Sequence, residues 1–350
     1  MNRQTAIVAM SGGVDSAVAA HRLVEEGFDV LGVYMHLGAA APSAADDARR
    51  AAAQLGIAFE ALDATSSFAG ILDYVAAEYA RGRTPNPCVR CNPRVKFACL
   101  LALADRRGAA WVATGHHARI ATVAGRPAIL RSSDRAKDQS YVLCGLPAAV
   151  LGRLRFPVGD IADKAEIRRL AESLGLHVAD KPDSQDICFG DAYVHILAER
   201  APQALCGGAI LDPDGRQVGR HEGVGRYTIG QRRGLGVALG EPMYVTAIDA
   251  EARTITIGPR AATESRHLAA SGANWHADAP EGTPFRAHVQ IRYGHSAQPA
   301  TVRAAGDRFA VTFDQPVHAI TPGQVAAVYN GDRLLGGGWI DAAARGADGE

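Results

Sequence analysis

The stretch Thr5-Ala-Ile-Val-Ala-Met-Ser-Gly-Gly-Val-Asp-Ser16 decides the fold of the first half of the chain. Residues 5–9 form a short apolar run rich in β-forming side chains, which predicts a buried strand. A glycine turn follows, and Ser16–Glu26 has the amphipathic pattern of a helix. The chain therefore opens as strand, glycine turn and helix.

The same alternation continues for about two hundred residues. Strands are predicted at Val30–Met35, Ile57–Leu62 and Trp111–Thr114, and helices at Asp46–Leu55, Phe68–Tyr79 and Val95–Arg106. Strands that alternate with helices predict a mostly parallel sheet covered by helices on both faces.

The pattern changes after about residue 200. Short alternating segments are separated there by glycine, proline and aspartate turns, as in Gln217–Gly219, Met243–Ile248, Phe285–Ile291, Ala300–Ala304, Arg308–Phe313 and Gln324–Tyr329. This pattern is typical of antiparallel sheets or of a small barrel. The last residues, 343–350, lack an apolar anchor and are expected to fray.

Composition limits the function classes. A chain of 350 residues is too long for one ordinary core, so two or three domains are expected. Its 37 basic and 37 acidic side chains cancel, which argues against a protein that coats nucleic acid but permits local basic patches.

No apolar run approaches the roughly 18 residues of a membrane helix, and the N-terminus lacks the pattern of a signal peptide. We therefore expect a cytoplasmic protein without a membrane partner.

The glycine turn has the chemistry of an anion site. Gly12 and Gly13 let the backbone bend sharply and approach a ligand, and the first N–H groups of the helix favour an anion. Ser11 and Ser16 add hydroxyl donors, and Asp15 is placed to hold a phosphate-bound Mg²⁺. An ordinary glycine turn with a serine cap is the alternative. The position directly after the first strand favours nucleotide binding.

This loop lacks the Gly-Lys-Ser/Thr of kinases and GTPases, and it resembles the loop of the ATP-pyrophosphatase group. That group cleaves ATP between its α and β phosphates and leaves AMP on a carbonyl-type oxygen. The resemblance implies that ATP contacts Ala9, Met10, Ser11, Gly12, Gly13, Val14, Asp15, Ser16, Met35 and Gly115. Gly115 follows one strand and Met35 ends another, and both should meet the loop at one edge of the sheet. From the sequence alone, plain core packing is the preferred explanation of Met35.

A second segment carries two cysteines on which the predicted chemistry depends. It reads Gly82-Arg-Thr-Pro-Asn-Pro-Cys-Val-Arg-Cys-Asn92. Two prolines fix φ on either side of Asn86, so we expect a rigid, exposed loop rather than a helix.

With no export signal, the six cysteines of the chain should be reactive, metal-bound or buried rather than joined in structural disulfides.

The segment resembles the signature of the tRNA-specific 2-thiouridylases. Further matches follow in order at Lys96-Phe97, Thr114-Gly-His-His-Ala-Arg119, Lys137-Asp-Gln-Ser-Tyr141, Lys181-Pro-Asp-Ser-Gln-Asp-Ile-Cys-Phe189, Gly230-Gln231 and Pro322-Gly-Gln324. They cover most of the chain. Cys91 matches the nucleophilic cysteine and Cys188 the cysteine that carries a persulfide, whereas Cys88 stands where many members have aspartate. The general acid or base role of that aspartate is therefore in doubt here.

The resemblance implies a reaction at C2 of a uridine. ATP converts the C2 oxygen to an adenylate, a persulfide on Cys188 attacks C2, and Cys91 then releases the sulfur by forming a disulfide with Cys188. We expect Cys91 to be exposed, with a pKa lowered by its cationic neighbours, which are Arg90, Arg94 and Lys96.

The same thiols permit another chemistry. Cys88, Cys91 and Cys188 could hold an iron–sulfur cluster through three thiolates, with one iron open to sulfide. A structural zinc site is less expected, because no second Cys-x-x-Cys or well-spaced His pair completes the four ligands. Cys99 and Cys144 are interpreted as buried small hydrophobes, and Cys206 is uninformative.

The resemblance also implies residues that bind tRNA. Around the flipped wobble uridine it places Asn86, Pro87, Cys88 and His116. Further contacts are implied for Lys137, Asp138, Gln139, Arg292, Tyr293 and Gln324. From the sequence alone, Lys137–Gln139 is also typical of a solvated helix start, and His117 is interpreted as structural.

The implied architecture has three domains. These are a Rossmann-like α/β domain of the adenine-nucleotide α-hydrolase type (1–200), a small central β-rich domain (201–272) and a C-terminal β-barrel that contacts tRNA (273–350). The implied partners are the tRNAs for lysine, glutamate and glutamine, and a cysteine desulfurase or sulfur-relay protein. The alternatives are an ATP-pyrophosphatase ligase acting on a small metabolite and a non-catalytic RNA-binding or sulfur-carrier protein.

Overall fold

The computed structural model describes residues 3–38, 42–182, 188–189, 193–237 and 240–344. The chain divides into two compact units. The first comprises 1–69, 88–190 and 331–334, and the second comprises 70–87, 191–330 and 335–350.

The first unit is built on a five-stranded parallel sheet. The strands of this unit are β1 (Thr5–Ala9), β2 (Asp29–His36), β3 (Ala58–Asp63), β4 (Trp111–Thr114), β5 (Ala118–Val123), β6 (Arg126–Arg131) and β7 (Leu154–Arg155). The order in the sheet is β3-β2-β1-β4-β7, and every described pair is parallel. The predicted parallel α/β sheet is therefore confirmed.

Helices cover this sheet. They are α1 (Val14–Glu25), α2 (Pro42–Gln54), α3 (Thr65–Ala80, which belongs to the other unit from Gly70 onward), α4 (Pro87–Cys91), α5 (Phe97–Arg107) and α6 (Lys164–Ser173). The core of the first unit joins β1 with α1, α2 and α6, through side chains such as Val8, Val18, Ala52 and Ile167. The apolar faces expected from the sequence are thus buried against the sheet.

The prediction that prolines exclude a helix from the cysteine segment is wrong. Pro87 is the first residue of α4, and a π-helical segment, Asn92–Lys96, joins α4 to α5. Proline is well tolerated at the first position of a helix, because the N–H that it lacks would have no intrahelical partner there. Cys88 and Cys91 are therefore helical residues.

One hairpin of the first unit was not predicted. Strands β5 and β6 pair in antiparallel fashion around a two-residue turn, Ala124–Gly125, at which both residues have positive φ. Arg333, which belongs to the same unit, pairs with Leu130 of β6. Two residues with positive φ give the turn geometry that suits the twist of the flanking strands.

The second unit contains a small β-sheet. Its strands are β8 (Gly208–Leu211), β9 (Gln217–His221), β10 (Tyr244–Asp249) and β11 (Thr254–Gly258), and the helix α7 (Tyr193–Arg200) precedes them. The order is β10-β11-β8-β9. Ile210, Val245, Ile255 and Ile257 form its core. This confirms the predicted central β-rich domain.

The second unit also contains a closed barrel of six strands. They are β12 (Glu264–Trp275), β13 (Phe285–Gln290), β14 (Gln298–Ala305), β15 (Arg308–His318), β16 (Val325–Asn330) and β17 (Arg333–Ala344). The order is β12-β15-β14-β13-β16-β17, and β12 also pairs with β17, which closes the barrel. The predicted barrel is confirmed, whereas β12 and β17 were not predicted. The proposed boundary between residues 272 and 273 falls inside β12, and the domain limits stay predictions.

Among the described residues, no helix is both long and apolar enough to cross a membrane.

Candidate functional site

The glycine loop leaves β1 and enters α1. Gly12 has φ +76°, and a Cβ there would lie 2.4 Å from the carbonyl oxygen of Ala44. Gly13 caps α1 with an extended backbone and offers no side chain to the N–H groups that follow. The helix start therefore keeps backbone donors that suit an anion.

Ser16 organises this loop. Its hydroxyl donates to the carbonyl oxygen of Gly13 (2.8 Å) and accepts from the backbone N–H of Ser11 (3.2 Å). Ser16 is buried, whereas Ser11 is exposed. Of the two predicted hydroxyl donors, Ser11 is thus the one that solvent or a ligand can reach.

Two strand ends flank the loop, as predicted. β1 and β4 are neighbours through Ala9 and Thr114, and chain order in the sheet reverses between them, where doubly wound sheets bind ligands. Gly115 follows β4, and a Cβ there would lie 2.8 Å from the backbone nitrogen of Ser16. Only glycine lets the two backbones come this close.

The two predicted methionines differ in exposure. The Met10 sulfur would lie 2.6 Å from a Cβ at Gly32, and Met10 is fully buried. Met35, near the end of β2, is half-buried. Met10 can therefore serve a ligand only through its backbone.

Asp15 lies within a cluster of charged groups. Its carboxylate pairs with the Lys164 ammonium, and the His117 Nε2 atom lies 3.3 Å away. Burial alone would raise the pKa of Asp15, but His117 and Lys164 hold it below its usual value. The sequence analysis assigned Lys164 no role, because it lies 149 residues from Asp15 along the chain.

A second lysine holds the loop itself. The Lys181 ammonium donates to the carbonyl oxygen of Gly12 (2.9 Å) and to the Asp47 carboxylate (2.5 Å). The His177 Nε2 atom lies 3.2 Å from the same carboxylate. Lys181 belongs to a quoted motif, but its contact with the glycine loop could not be predicted.

The structure brings together the three thiols that the sequence singled out. Cys91 is buried, Cys88 is half-buried and Cys188 is exposed, and the three are close enough for their charges to interact. No disulfide joins any of the six cysteines, all of which are among the described residues. Cys144 is buried as predicted, whereas Cys99 is only half-buried.

The expectation of an exposed Cys91 with a lowered pKa is wrong. Burial raises the pKa of the Cys91 thiol, and the nearby Lys96 ammonium opposes this effect only in part. Crowding by protein atoms and the neighbouring thiols raise the pKa of Cys188 to about 12, although its side chain is exposed. At neutral pH these cysteines are therefore protonated.

The described residues do not form a preassembled metal site. No group of three or more His, Cys, Asp or Glu side chains among them is arranged to hold a metal ion. Cys88, Cys91 and Cys188 would have to move to ligate an iron–sulfur cluster together.

His116 lies in an apolar cage. Its ring stacks on Phe97 and packs edge-on against Phe156, and its Nδ1 atom is 2.6 Å from the hydroxyl of Thr114. Burial, the Lys96 charge and His117 hold the pKa of His116 well below its usual value. The ring is therefore neutral at pH 7.

The segment predicted to bind tRNA makes many contacts within the first unit. Asp138 accepts from Arg131 (2.7 Å), and the Gln139 side chain accepts from the backbone N–H of His117 (3.0 Å). Lys137 is half-buried at the end of a 3₁₀ turn. Gln139 thus fixes the backbone of His117, which lies beside Asp15, and Asp138 fixes Arg131 of β6. Their contact with tRNA stays a prediction.

Gln324 has a structural contact in the second unit. Its amide nitrogen donates to the carbonyl oxygens of Thr84 and Pro85, each at 3.1 Å. Asn86 and Pro87 follow directly and are buried. Gln324 therefore fixes the segment that leads into α4, a role that sequence reasoning missed.

The last predicted pair lies beyond β13. Tyr293 is 50% exposed, which suits a ring that stacks on a base. Arg292 donates to the hydroxyl of Thr321 (3.0 Å) and is half-buried. tRNA binding by this pair stays a prediction.

Comparison with known families covers nearly the whole chain. Residues 4–191 match the family described as tRNA methyl transferase HUP domain. Residues 195–259 match the tRNA methyl transferase PRC-barrel domain, and residues 265–340 match the aminomethyltransferase beta-barrel domain.

Curated relatives carry a more specific name, tRNA-specific 2-thiouridylase MnmA. The protein of Syntrophotalea carbinolica is 44% identical over 95% of this chain and 97% of its own. Those of Carboxydothermus hydrogenoformans and Geobacter metallireducens are 43% and 44% identical, each over 97% of this chain and 98% of their own. A solved 4-thiouridine synthetase–RNA complex with bound ATP is 18% identical at a TM-score of 0.36, over 57% of this chain and 51% of its own, which is too distant to support an inference. With such identity over nearly the full length of its relatives, the chain belongs to the family of tRNA-specific 2-thiouridylases.

Proposed function

We propose that this protein is an ATP-dependent tRNA-uridine 2-sulfurtransferase. It adenylates the C2 oxygen of the wobble uridine and replaces that oxygen with sulfur carried as a persulfide on Cys188. One observation carries the proposal: the unit that holds the glycine loop also brings Cys91 and Cys188 close enough to interact.

The glycine loop fits ATP. Gly12 and Gly115 allow close approach of the backbone, the start of α1 offers N–H donors, and Lys164 and Lys181 supply positive charge. Asp15 is the residue that would hold Mg²⁺, which when bound offsets the charge of the phosphates. Attack of the C2 oxygen on the α-phosphate leaves AMP on that oxygen and releases pyrophosphate.

Sulfur transfer follows in two displacements. The terminal sulfur of the Cys188 persulfide attacks C2, and AMP leaves with the former C2 oxygen. Cys91 then loses its proton to solvent and attacks the Cys188 sulfur as a thiolate, which breaks the bond of that sulfur to the transferred sulfur. The transferred sulfur keeps the electron pair as 2-thiouridine. This leaves a Cys91–Cys188 disulfide, which a dithiol reductant reopens.

Burial disfavours Cys88 as a replacement for the aspartate base at neutral pH. Burial raises the pKa of its thiol, with Lys96 opposing, so the group stays protonated. A protonated thiol can donate a hydrogen bond to the reacting uridine but cannot accept its proton.

tRNA recognition belongs to the same proposal. The wobble uridine leaves its stack to reach the thiols. Asn86, Pro87, Cys88 and His116 would surround it, and further contacts would come from Lys137, Asp138, Gln139, Arg292, Tyr293 and Gln324. The tRNAs for lysine, glutamate and glutamine are the proposed substrates, and a cysteine desulfurase or relay protein supplies the sulfur.

One variant of this mechanism uses the same three thiols. The thiol of Cys88 lies near those of Cys91 and Cys188, and three thiolates could hold an iron–sulfur cluster that delivers sulfide. In that route Cys188 would be a ligand and would carry no persulfide.

The test is a single reaction. The reduced protein is incubated with unmodified glutamate tRNA, Mg-ATP, a cysteine desulfurase and cysteine, and the wobble nucleoside is examined by mass spectrometry. We expect one oxygen-to-sulfur exchange with the wild type, none with Cys91→Ser or Cys188→Ser, and full exchange with Cys206→Ser. Cys206 is the matched control, because it belongs to the other unit.

The results distinguish the persulfide route from the cluster route and from a ligase that acts on a small metabolite. Full exchange by Cys188→Ser would contradict the persulfide route. Iron bound by the wild type and lost from Cys88→Ser would instead support the cluster. Pyrophosphate released on a small metabolite, without thiouridine, would favour an ATP-dependent ligase.

A further inference from the structure

The backbone takes an unusual path directly after β15. Ala319 is 1% exposed and has φ +58°, a conformation that residues other than glycine seldom adopt. The Arg292 guanidinium donates to its carbonyl oxygen at 3.4 Å, and a Cβ at Gly230 would lie 2.3 Å from the Ala319 Cβ. Backbone strain of this kind is concentrated at functional sites, so the side chains around Ala319 are candidates for a binding role.

Four side chains around this point can carry positive charge. We call them the cation cluster, and they are Arg260, Arg292, His295 and His318. The charges of Arg292 and His318 act on His295. Those of Arg260 and Arg292 act on His318, where the Glu264 carboxylate opposes them. The Glu264 carboxylate lies 3.7 Å from the Arg260 Nε atom, and this pair is largely exposed and therefore weak. Neighbouring cations of this kind favour an anion.

The contacts of His318 determine which of its nitrogens can take up a proton. The Thr263 hydroxyl donates to the carbonyl oxygen of Arg260 (2.6 Å) and lies 2.5 Å from the His318 Nδ1 atom. Because a hydroxyl has one hydrogen, it accepts from Nδ1, which carries the hydrogen of the neutral ring. The ring also packs edge-on against Tyr244. Nε2 is left as the basic nitrogen, and the missing side chain of Gly230 leaves space beside it.

His295 is the second ring of the cluster that can change its charge. Its backbone N–H donates to the carbonyl oxygen of Arg292 (3.2 Å), which places it directly after the pair Arg292–Tyr293. The side chain is half-buried, and its ring makes no hydrogen bond within the part of the chain that the structure describes. The ring can therefore donate to a ligand without giving up a partner among these residues.

Burial and neighbouring charges keep both rings neutral at pH 7. Burial lowers the pKa of His295 and that of His318, and the adjacent cations lower both further, with Glu264 opposing at His318. A phosphate bound among these groups would offset the charge of the cations and stabilise the imidazolium forms. Binding of the anion is then accompanied by uptake of a proton from solvent.

We propose that the cation cluster binds a backbone phosphate of tRNA and that this phosphate binds together with a proton. The inference rests on the proposed function, because it takes tRNA as the substrate. It adds Arg260, His295 and His318 to the contacts expected from Arg292 and Tyr293. The exposed Tyr293 ring beside the cluster favours RNA over a free phosphate, since a base can stack on the ring while its phosphate meets the cations.

The affinity of the full-length protein for unmodified glutamate tRNA, measured by fluorescence anisotropy at pH 6 and pH 8, tests the proposal without turnover. Each histidine contributes fully below its pKa in the free protein, and the contribution is lost as the pH rises through its pKa in the complex. The wild type should therefore bind more tightly at pH 6, roughly tenfold for each unit by which the phosphate raises a histidine pKa. The slope of log K against log salt concentration should also be steeper at pH 6, by about one.

The double variant His295→Gln/His318→Gln separates a phosphate contact from a structural role. It should bind tRNA like the wild type at pH 8, where both histidines are neutral, and should lack the gain at pH 6. His288→Gln is the matched control, because His288 is an exposed histidine of the same barrel and its loss should leave the pH dependence unchanged. An equal loss of affinity by the double variant at both pH values would indicate a structural role and overturn the proposal.

Two results with the wild type distinguish this inference from the proposed function. Equal affinity for tRNA at pH 6 and pH 8 would overturn the inference and leave the proposed function intact. Failure to bind tRNA at either pH would contradict the proposed function itself. Melting temperatures at both pH values establish that each variant is folded. If the double variant does not fold, His295→Gln replaces it and should lose part of the gain at pH 6.

Discussion

At the scale of single residues, two opposing effects set the pKa of each reactive thiol. Burial raises the pKa of Cys91, whereas the positive charge of Lys96 lowers it, and the same ammonium acts on Cys88 and Cys188. Lys96 ends the π-helical segment that follows Cys91. The charge needed to stabilise a sulfur anion is therefore carried on the same helical stretch as the sulfur.

We predict that Lys96→Met slows alkylation of Cys91 by iodoacetamide. Removing the cation takes away an effect that lowers the thiol pKa, so the pKa rises further and the thiolate fraction at pH 8 falls. One pKa unit would slow the reaction roughly tenfold. The rate is measured by mass spectrometry of the Cys91 peptide between pH 7 and 10. Arg94→Met, which removes an exposed cation from the same segment, is the control, and equal rates in both variants would refute the role of Lys96.

At the scale of elements, close backbone contacts position the site. A Cβ at Gly145 would lie 2.8 Å from the carbonyl oxygen of Val89 in α4, and the Asn92 amide donates to the carbonyl oxygen of Val142 (2.8 Å). The π-helical turn adds one residue to the helix at this point, a feature often found at functional sites. Packing of backbone on backbone thus fixes the helix that carries the cysteines.

We predict that Gly115→Ala impairs nucleotide binding. The new Cβ would press on the backbone of Ser16 and Asp15 at 2.8–2.9 Å, and displacing that backbone costs about 1–3 kcal/mol. The affinity for Mg-ATP should fall roughly tenfold in a calorimetric titration.

Gly70→Ala is the control for this prediction. Gly70 lies within α3, and a Cβ there meets no atom within 4 Å, so ATP affinity should stay unchanged. The melting temperature should rise, because alanine stabilises a helix by about 1 kcal/mol relative to glycine. Unchanged ATP affinity in Gly115→Ala would show that the end of β4 does not shape the loop.

At the scale of the whole molecule, the chain returns to each unit more than once. Residues 70–87 belong to the second unit, and the cysteine helix continues into the first. Within the second unit, Gln324 holds Thr84 and Pro85 across about 240 residues of sequence. A residue of the barrel thereby fixes the backbone immediately before α4.

We predict that Gln324→Ala separates thiolation from nucleotide binding. Two hydrogen bonds are lost, each contributing about 1 kcal/mol, and the segment before α4 loosens. The rate of tRNA thiolation should fall at least several-fold, whereas the Kd for Mg-ATP should not change. Gln315→Ala, an exposed glutamine of the same barrel, should thiolate normally. A parallel loss of ATP affinity would contradict this separation.

The features that could be predicted before the fold was known are those that short stretches of sequence carry. Periodicity predicted the parallel sheet and its helices, and two contiguous motifs identified the glycine loop and the cysteines, because the atoms involved are neighbours along the chain. Three features depend on the tertiary structure: Cys91 is buried and the pKa of its thiol is raised, Pro87 begins a helix, and β12 and β17 close the barrel. The tertiary structure also placed Lys164 and Lys181 at the loop, 149 and 169 residues from their partners. Burial and ion pairing depend on which distant segments pack together, and that information resides in the fold rather than in any local pattern.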